Sequence, residues 1–124
     1  MRWSYSYTTL VKEPRWSLES VKTVAAREDG LRFSLTRALR FFPTRAACLL
    51  AARSTVAALT LRDFVETKHQ NPDVCDVYAV KMEGKGWYVK LTMLEEPDGD
   101  VVMLLSLHPL EHEIRTASGH KVTP

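Results

Sequence analysis

Nowhere does the chain string together the roughly 18 consecutive apolar residues that a membrane-spanning helix needs. Its opening stretch, MRWSYSYTTLVKEP, also lacks the apolar centre of a secretory signal. Cysteine is scarce. Cys48 and Cys75 are the only two, with no CxxC pair and no framework of bridges, which fits a reducing cytoplasm. A dominant charge is missing as well: 17 Lys and Arg stand against 15 Asp and Glu, a formal net charge of +2. That balance is too mild to imply a nucleic-acid partner by itself. Glycine is limited to five residues. None belongs to a P-loop, a G-x-G-x-x-G or a G-x-S-x-G, so no nucleotide cofactor or hydrolase elbow is indicated. The expectation is a soluble cytoplasmic protein with no cofactor.

What is present is an ordinary globular composition, 45% hydrophobic and 26% charged over 124 residues. That is enough chain to bury a core in one domain without staples. No repeat, low-complexity tract or linker divides it, so 1–124 reads as a single domain with an N-terminal arm at 1–15. WSLESVKTVAARED predicts a short amphipathic helix capped by Ser17, with Leu18, Val21, Val24 and Ala25 on one face. LRFSLT alternates like an edge strand, and a helical turn follows through Phe41 and Phe42. TRAACLLAARSTVAAL predicts a buried helix capped by Thr44, with Ala46, Leu49, Leu50 and Val56 inward and Arg45 and Arg53 outward. Cys48 in this run reads as a small core residue. TLRDFVETKH, with Asp63 three residues after Thr60, predicts a third, short helix. QNPD reads as a turn. Three strands follow at 74–82, 87–94 and 101–108, joined by EGKG and EEPDGD. Helices first and an antiparallel meander last make an α+β fold, with the helices on one face of the sheet.

Alternation assigns the faces. A four-residue loop at 83–86 sets Met82 opposite Trp87. Asp76, Tyr78, Val80, Met82, Trp87, Val89, Leu91 and Met93 then share the helix-covered face, with Trp87, Leu91 and Tyr78 against the 44–59 helix. Cys75, Val77, Ala79, Lys81, Tyr88, Lys90, Thr92 and Leu94 share the other. The third strand, VVMLLSLH, is apolar almost throughout and reads as central and covered on both sides, delivering Ser106 and His108 at its end. A face showing Tyr, Lys, Ser and His suits a shallow anion site, although the solvated side of any antiparallel sheet looks much the same.

RNA cleavage without a metal needs a base near the 2′-hydroxyl, an acid for the leaving 5′-oxygen and cations for the phosphorane charge. His108 has the side chain suited to proton transfer near neutrality. Lys90 and Lys81 could hold phosphate, and Tyr88 could stack a base or bond a phosphate oxygen. Glu66 and His69 lie just before the sheet, and Arg62 adds to the basic fringe. A competing motif is His108-Pro109-Leu110-Glu111-His112, the H-x-x-E-H zinc pattern. It requires a helix through residues that continue a β-run, and a further carboxylate from a second long helix that the remaining twelve residues do not offer.

The blocks DF (Asp63-Phe64), DVY (Asp76 to Tyr78), WYVKLTM (Trp87 to Met93) and LLSLH (Leu104 to His108) occur in that order. With WSLESVK and TRAL upstream, they resemble the MqsR family of type II toxin–antitoxin toxins over most of 16–108. That family carries D-F-Y-K, W-Q-D-V-Y, an aliphatic-Y-[LV]-K strand and a closing aliphatic-S-F-[KH] strand. The resemblance implies a RelE-like fold, a metal-independent mRNA endoribonuclease, and neutralisation by an antitoxin protein encoded in the adjacent gene. Tyr88 falls on the family's active-site tyrosine and His108 on its closing basic residue. Cys75 stands in place of a glutamine and Glu66 in place of a lysine, with Lys68 and His69 two and three residues later. The expected set is therefore His108, Tyr88, Lys68, His69 and Glu66 for chemistry, and Lys90, Lys81, Cys75 and Arg62 toward RNA. A non-catalytic RNA- or protein-binding module on the same fold, an inactivated toxin, is the alternative. Residues 109–124 form a C-terminal extension, an added strand or arm.

Overall fold

The structure, a computed structural model, describes residues 13–33, 38–69 and 74–124. Most of the expected N-terminal arm, the end of LRFSLT and the QNPD turn lie outside these residues. Among the described residues there are two α-helices, α1 (Leu18–Ala25) and α2 (Arg45–Ala58). Seven strands accompany them: β1 (Leu31–Phe33), β2 (Phe64–His69), β3 (Val74–Met82), β4 (Lys85–Leu94), β5 (Val101–Pro109), β6 (Ile114–Arg115) and β7 (Lys121–Val122). β1 to β5 make one sheet in the order β1-β5-β4-β3-β2, and β6 and β7 make a separate small hairpin. The fold is α+β with a mostly antiparallel sheet. The departure is β1, which runs parallel to β5.

Both helix starts form as their sequences dictate. Ser17 Oγ accepts from Ser20 N–H at 3.3 Å and Thr44 Oγ1 from Ala47 N–H at 3.0 Å, each satisfying a donor that the first turn leaves open. The helix ends are capped across the pair. Arg53 of α2 donates to the carbonyls of Ala25, Arg27 and Glu28 at the end of α1. Lys22 of α1 donates to the Leu59 carbonyl at the end of α2, 2.8 Å away. Arg53 was expected to point outward. Instead it completes a backbone that would otherwise lack partners.

The inner face of α2 also differs from expectation. Cys48, Ala52, Thr55 and Val56 are buried, whereas Ala46, Leu49 and Leu50 are exposed. Small side chains face inward, so Cys48 is a core residue as read. The principal core joins Leu18 and Val21 of α1, Ala52 and Val56 of α2, and Tyr78, Val80, Val89, Leu91, Leu104 and Leu107 of the sheet. The helix-covered face is therefore the one that alternation assigned. Trp87 sits at its margin, half-buried and stacked on Phe42 at 5.7 Å.

Three further corrections concern strands. TLRDFVETKH is not a helix. Asp63 does accept from Thr60 N–H at 2.8 Å and from its hydroxyl at 3.1 Å, but the turn ends after one 3-10 winding and Phe64–His69 becomes an edge strand. Aromatic and β-branched Phe64, Val65 and Thr67 suit a pleated surface better than a helix. The β3–β4 loop is two residues, not four: Met82 pairs with Lys85 and Val80 with Trp87. Glu83 and Gly84 both adopt positive φ, the turn whose twist matches the flanking strands. The register thus slips by two, an even number, so every side chain keeps its face. Finally, β5 is an interior strand as expected, here between β1 and β4, but only one of its faces is sealed: Met103, Leu105, Ser106 and His108 are half-buried.

The 109–124 extension folds back over the sheet. Leu110 N–H bonds the Gly86 carbonyl, Ala117 N–H bonds the Phe64 carbonyl, and Leu110 and Val122 form a second small core with Ala79. A Cβ on Gly86 would stand 2.2 Å from the Thr123 carbonyl oxygen, so the close crossing depends on glycine there. No helix among the described residues is long and apolar enough to cross a membrane.

Candidate functional site

The same sheet face, next to the C-terminal extension whose small core Tyr88 packs against, carries the residues of interest. Reading across the register, Glu66 neighbours Val77, Val77 neighbours Lys90, and Lys90 neighbours Ser106. One row along, Ala79 neighbours Tyr88, and Tyr88 neighbours His108. Leu105 has no partner opposite it, because Lys90 pairs with Ser106 while Leu91 pairs with Leu104. This bulge lets Leu104 and Leu107 both enter the core while Ser106 and His108 stay on the open face.

Strand spacing decides which groups can act together. Neighbouring strands lie about 4.8 Å apart, and diagonal neighbours about 7–8 Å. Lys90, Tyr88, Ser106 and His108 therefore meet around one point on β4 and β5. Glu66 and Lys68 share the face but stand three strands from His108, about 14 Å across the strands alone, and one and two rows along them as well. Two more expected residues are removed from the point. His69 pairs with Val74 and by alternation lies toward the helix side, at the exposed end of β2. Arg62 lies beyond the C-terminal hairpin, where its guanidinium meets His120 Nδ1 at 3.1 Å.

Cys75 and Lys81 are on the open face by parity, yet neither presents itself to a ligand. Cys75 is fully buried, its thiol directed at the Lys68 carbonyl at 3.9 Å. Lys81 Nζ donates to the Thr123 hydroxyl at 2.7 Å and to its carbonyl at 3.3 Å. By contrast Lys68 and Lys90 make no ion pair or side-chain hydrogen bond among the described residues.

His108 is the best-defined group. Its ring stacks on Tyr88 with centroids 4.9 Å apart and 14° between planes, and Phe41 lies against it at 6.4 Å. Its Nδ1 is 2.9 Å from the Pro109 carbonyl oxygen. A carbonyl can only accept, so Nδ1 bears the proton and, in the neutral ring, Nε2 holds the lone pair. Tyr88 and Phe41 hold the imidazole plane, and the backbone selects its tautomer. That combination suits a proton acceptor.

Beside His108 is a cavity of about 330 Å³ lined by Arg40, Phe41, His108, Pro109, Leu110 and Glu111. Arg40 and Phe41 come from the 3-10 turn Ala38–Phe41, which sits next to β5. Sequence reading placed Phe41 only in a helical turn and left it out of the site. An aromatic beside a Pro that ends a short turn gives no signal of which strand it will approach. The H-x-x-E-H motif does not form its zinc geometry, since His108 and Pro109 are in β5 and Glu111 and His112 follow in a bend, not a helix. No family model, curated protein or solved structure matches this chain.

Proposed function

We propose that the chain is a small metal-independent endoribonuclease of the toxin type, acting at the open face of β4 and β5. The observation that carries this reading is the His108 ring, clamped on Tyr88 with its tautomer set by Pro109, next to the uncommitted ammonium of Lys90. In the proposed step His108 Nε2 takes the proton of a ribose 2′-hydroxyl and the 2′-oxygen bonds the adjacent phosphorus. The bond from phosphorus to the 5′-oxygen breaks, and that oxygen takes a proton from Lys90. The products are a 2′,3′-cyclic phosphate and a 5′-hydroxyl. Lys90 also offsets the charge gathered on the non-bridging oxygens, and Ser106 can donate to one of them. Glu66 and Lys68, more than about 14 Å away, contact a neighbouring nucleotide instead of the scissile one.

The resemblance to MqsR toxins supports the same reading through Tyr88 and His108, and with it a RelE-like fold, a cytoplasmic setting and an antitoxin partner. The sheet offers that partner two outer edges, β1 and β2, whose backbone groups a strand could complete.

The test is RNA cleavage by the purified chain in the presence of EDTA, with product ends identified. His108→Ala is expected to keep its fold and lose about 10²-fold or more in rate. Tyr88→Phe should retain more activity than Tyr88→Ala, because the ring does the positioning. Cleavage unchanged in both His108→Ala and Tyr88→Ala removes this face from consideration. RNA binding without any cleavage turns the reading to a binding module.

A further inference from the structure

The cavity beside His108 contains more than a proton-transfer group requires. Arg40 and Glu111 both line it, yet they form no ion pair with each other and no side-chain hydrogen bond among the described residues. Opposite charges that share a cavity without pairing leave donors and acceptors open to something that supplies both. Phe41 is 46% exposed, a large apolar ring turned toward solvent beside the half-buried His108. Exposed aromatic surface at the mouth of a polar cavity suits a flat, aromatic ligand. At about 330 Å³ the cavity lies at the small end of ligand sites, which run from about 300 Å³, and has room for a base.

We propose that this cavity is a nucleobase seat that selects bases bearing an exocyclic amino group. The inference rests on the RNA-directed reading of the face and extends it to substrate choice. The Glu111 carboxylate can only accept, so it matches the amino donor of cytosine, adenine or guanine. The Arg40 guanidinium can only donate, so it matches the ring nitrogen or carbonyl oxygen beside that amino group. Phe41 supplies the stacking surface. Uracil has no amino group, and its one donor, the ring N3–H, is recessed between two carbonyl oxygens that would meet the carboxylate first, so the seat disfavours it. Because His108 lines the same cavity, the seated base belongs to a nucleotide next to the phosphate that His108 serves. The selectivity therefore comes from the 3-10 turn and the C-terminal extension, not from the sheet.

Binding to RNA that cannot be cleaved separates the seat from the chemistry. The probes are fluorescent all-uridine hexamers with every 2′-oxygen methylated, and the same hexamers with one central cytidine, adenosine or guanosine. At about 1–3 kcal/mol for a matched pair of base contacts, one amino-bearing base should tighten binding about tenfold. Glu111→Gln, which can donate as well as accept, should bring all hexamers within about twofold of one another. Arg40→Met should weaken the substituted hexamers more than all-uridine, and Phe41→Ala should weaken every one. All three positions are exposed, and circular dichroism confirms the fold of each variant. Equal affinity across the hexamers, or a preference that survives Glu111→Gln, overturns the seat even where RNA is cleaved. A preference lost in Glu111→Gln upholds the seat even where unmodified RNA stays intact and the ribonuclease reading fails. No binding of any hexamer overturns the seat.

Discussion

Asp76 and Tyr78 are adjacent on the buried face of β3, and each is polar where the pattern asks for apolar. Asp76 is fully buried and accepts from Arg15 N–H at 2.9 Å, Trp16 N–H at 3.1 Å and the Thr67 hydroxyl at 2.6 Å. It ties the entry to α1 onto the sheet, which accounts for the single carboxylate on that face. Asp76→Ala would leave two backbone donors without a partner and should cost roughly 3 kcal/mol in denaturant unfolding. A loss under about 0.5 kcal/mol, the scatter of surface substitutions, would show the contacts to be incidental. Tyr78 is the reverse case. It is fully buried and its hydroxyl has no hydrogen-bond partner. Burial, and then the charges of Asp76 and Asp63, hold its ionisation well above the ordinary tyrosine range. Because the folded value is raised, the folded chain keeps a proton that the unfolded chain releases near pH 10. The associated stability is fully present below that pH and is lost as pH rises toward the folded value. Tyr78→Phe should therefore be neutral or stabilising by about 1 kcal/mol at pH 7, since it removes an unpaired buried hydroxyl. It should also flatten the fall in stability above pH 10, and an unchanged alkaline slope would place the effect on another group.

The elements show what their sequences could announce. Helix starts at Ser17 and Thr44 and the face of each residue in β3 and β4 were legible, because capping side chains and period-two alternation are local signals. The face assignment survived a wrong loop length because the slip was even. β2 was not legible: the Thr60–Asp63 capping signature is real but supports only one turn, and its neighbours in β3 decide the rest. The return of the extension across the sheet was also hidden, since it depends on long-range contacts at Gly86, Ala79 and Lys81. In the candidate site, Tyr88, Lys90 and His108 were found by alternation alone. Arg40 and Glu111 were not, because they arrive from a turn and from the extension. Gly86→Ala tests that long-range docking. Its Cβ would also meet Leu110 Cδ1 at 2.8 Å, so residues 110–123 must shift, at about 1–3 kcal/mol for a forced contact of this kind. Hydrogen exchange should quicken at Leu110, Thr116 and Ala117 while β3 and β4 stay protected. Loss of protection throughout the sheet would mean that the extension is integral to the fold and not a docked segment.

Among the described residues, cations already engaged contrast with a few that are not. Lys22, Arg27 and Arg53 are engaged with backbone carbonyls, Arg32 with Glu96, Arg62 with His120, and Lys81 with Thr123. Lys85 and Arg15 lie over tryptophan rings. Arg40, Arg45, Lys68 and Lys90 have no such engagement among the described residues, and all but Arg45 border the open face or its cavity. If RNA meets Lys68 and Lys90 through phosphates while Arg40 holds a base, single-strand binding releases about 0.7 counterion per phosphate contact. The slope of log K against log salt should then be about −1.4, far shallower than for a protein built on a broad basic surface. Lys90→Met should reduce that slope by about 0.7, whereas Lys81→Met, already tied to Thr123, should leave it unchanged. If Lys81→Met moves the slope and Lys90→Met does not, RNA runs along the end of the sheet that bears Lys81, and the face around Lys90 is only solvated surface.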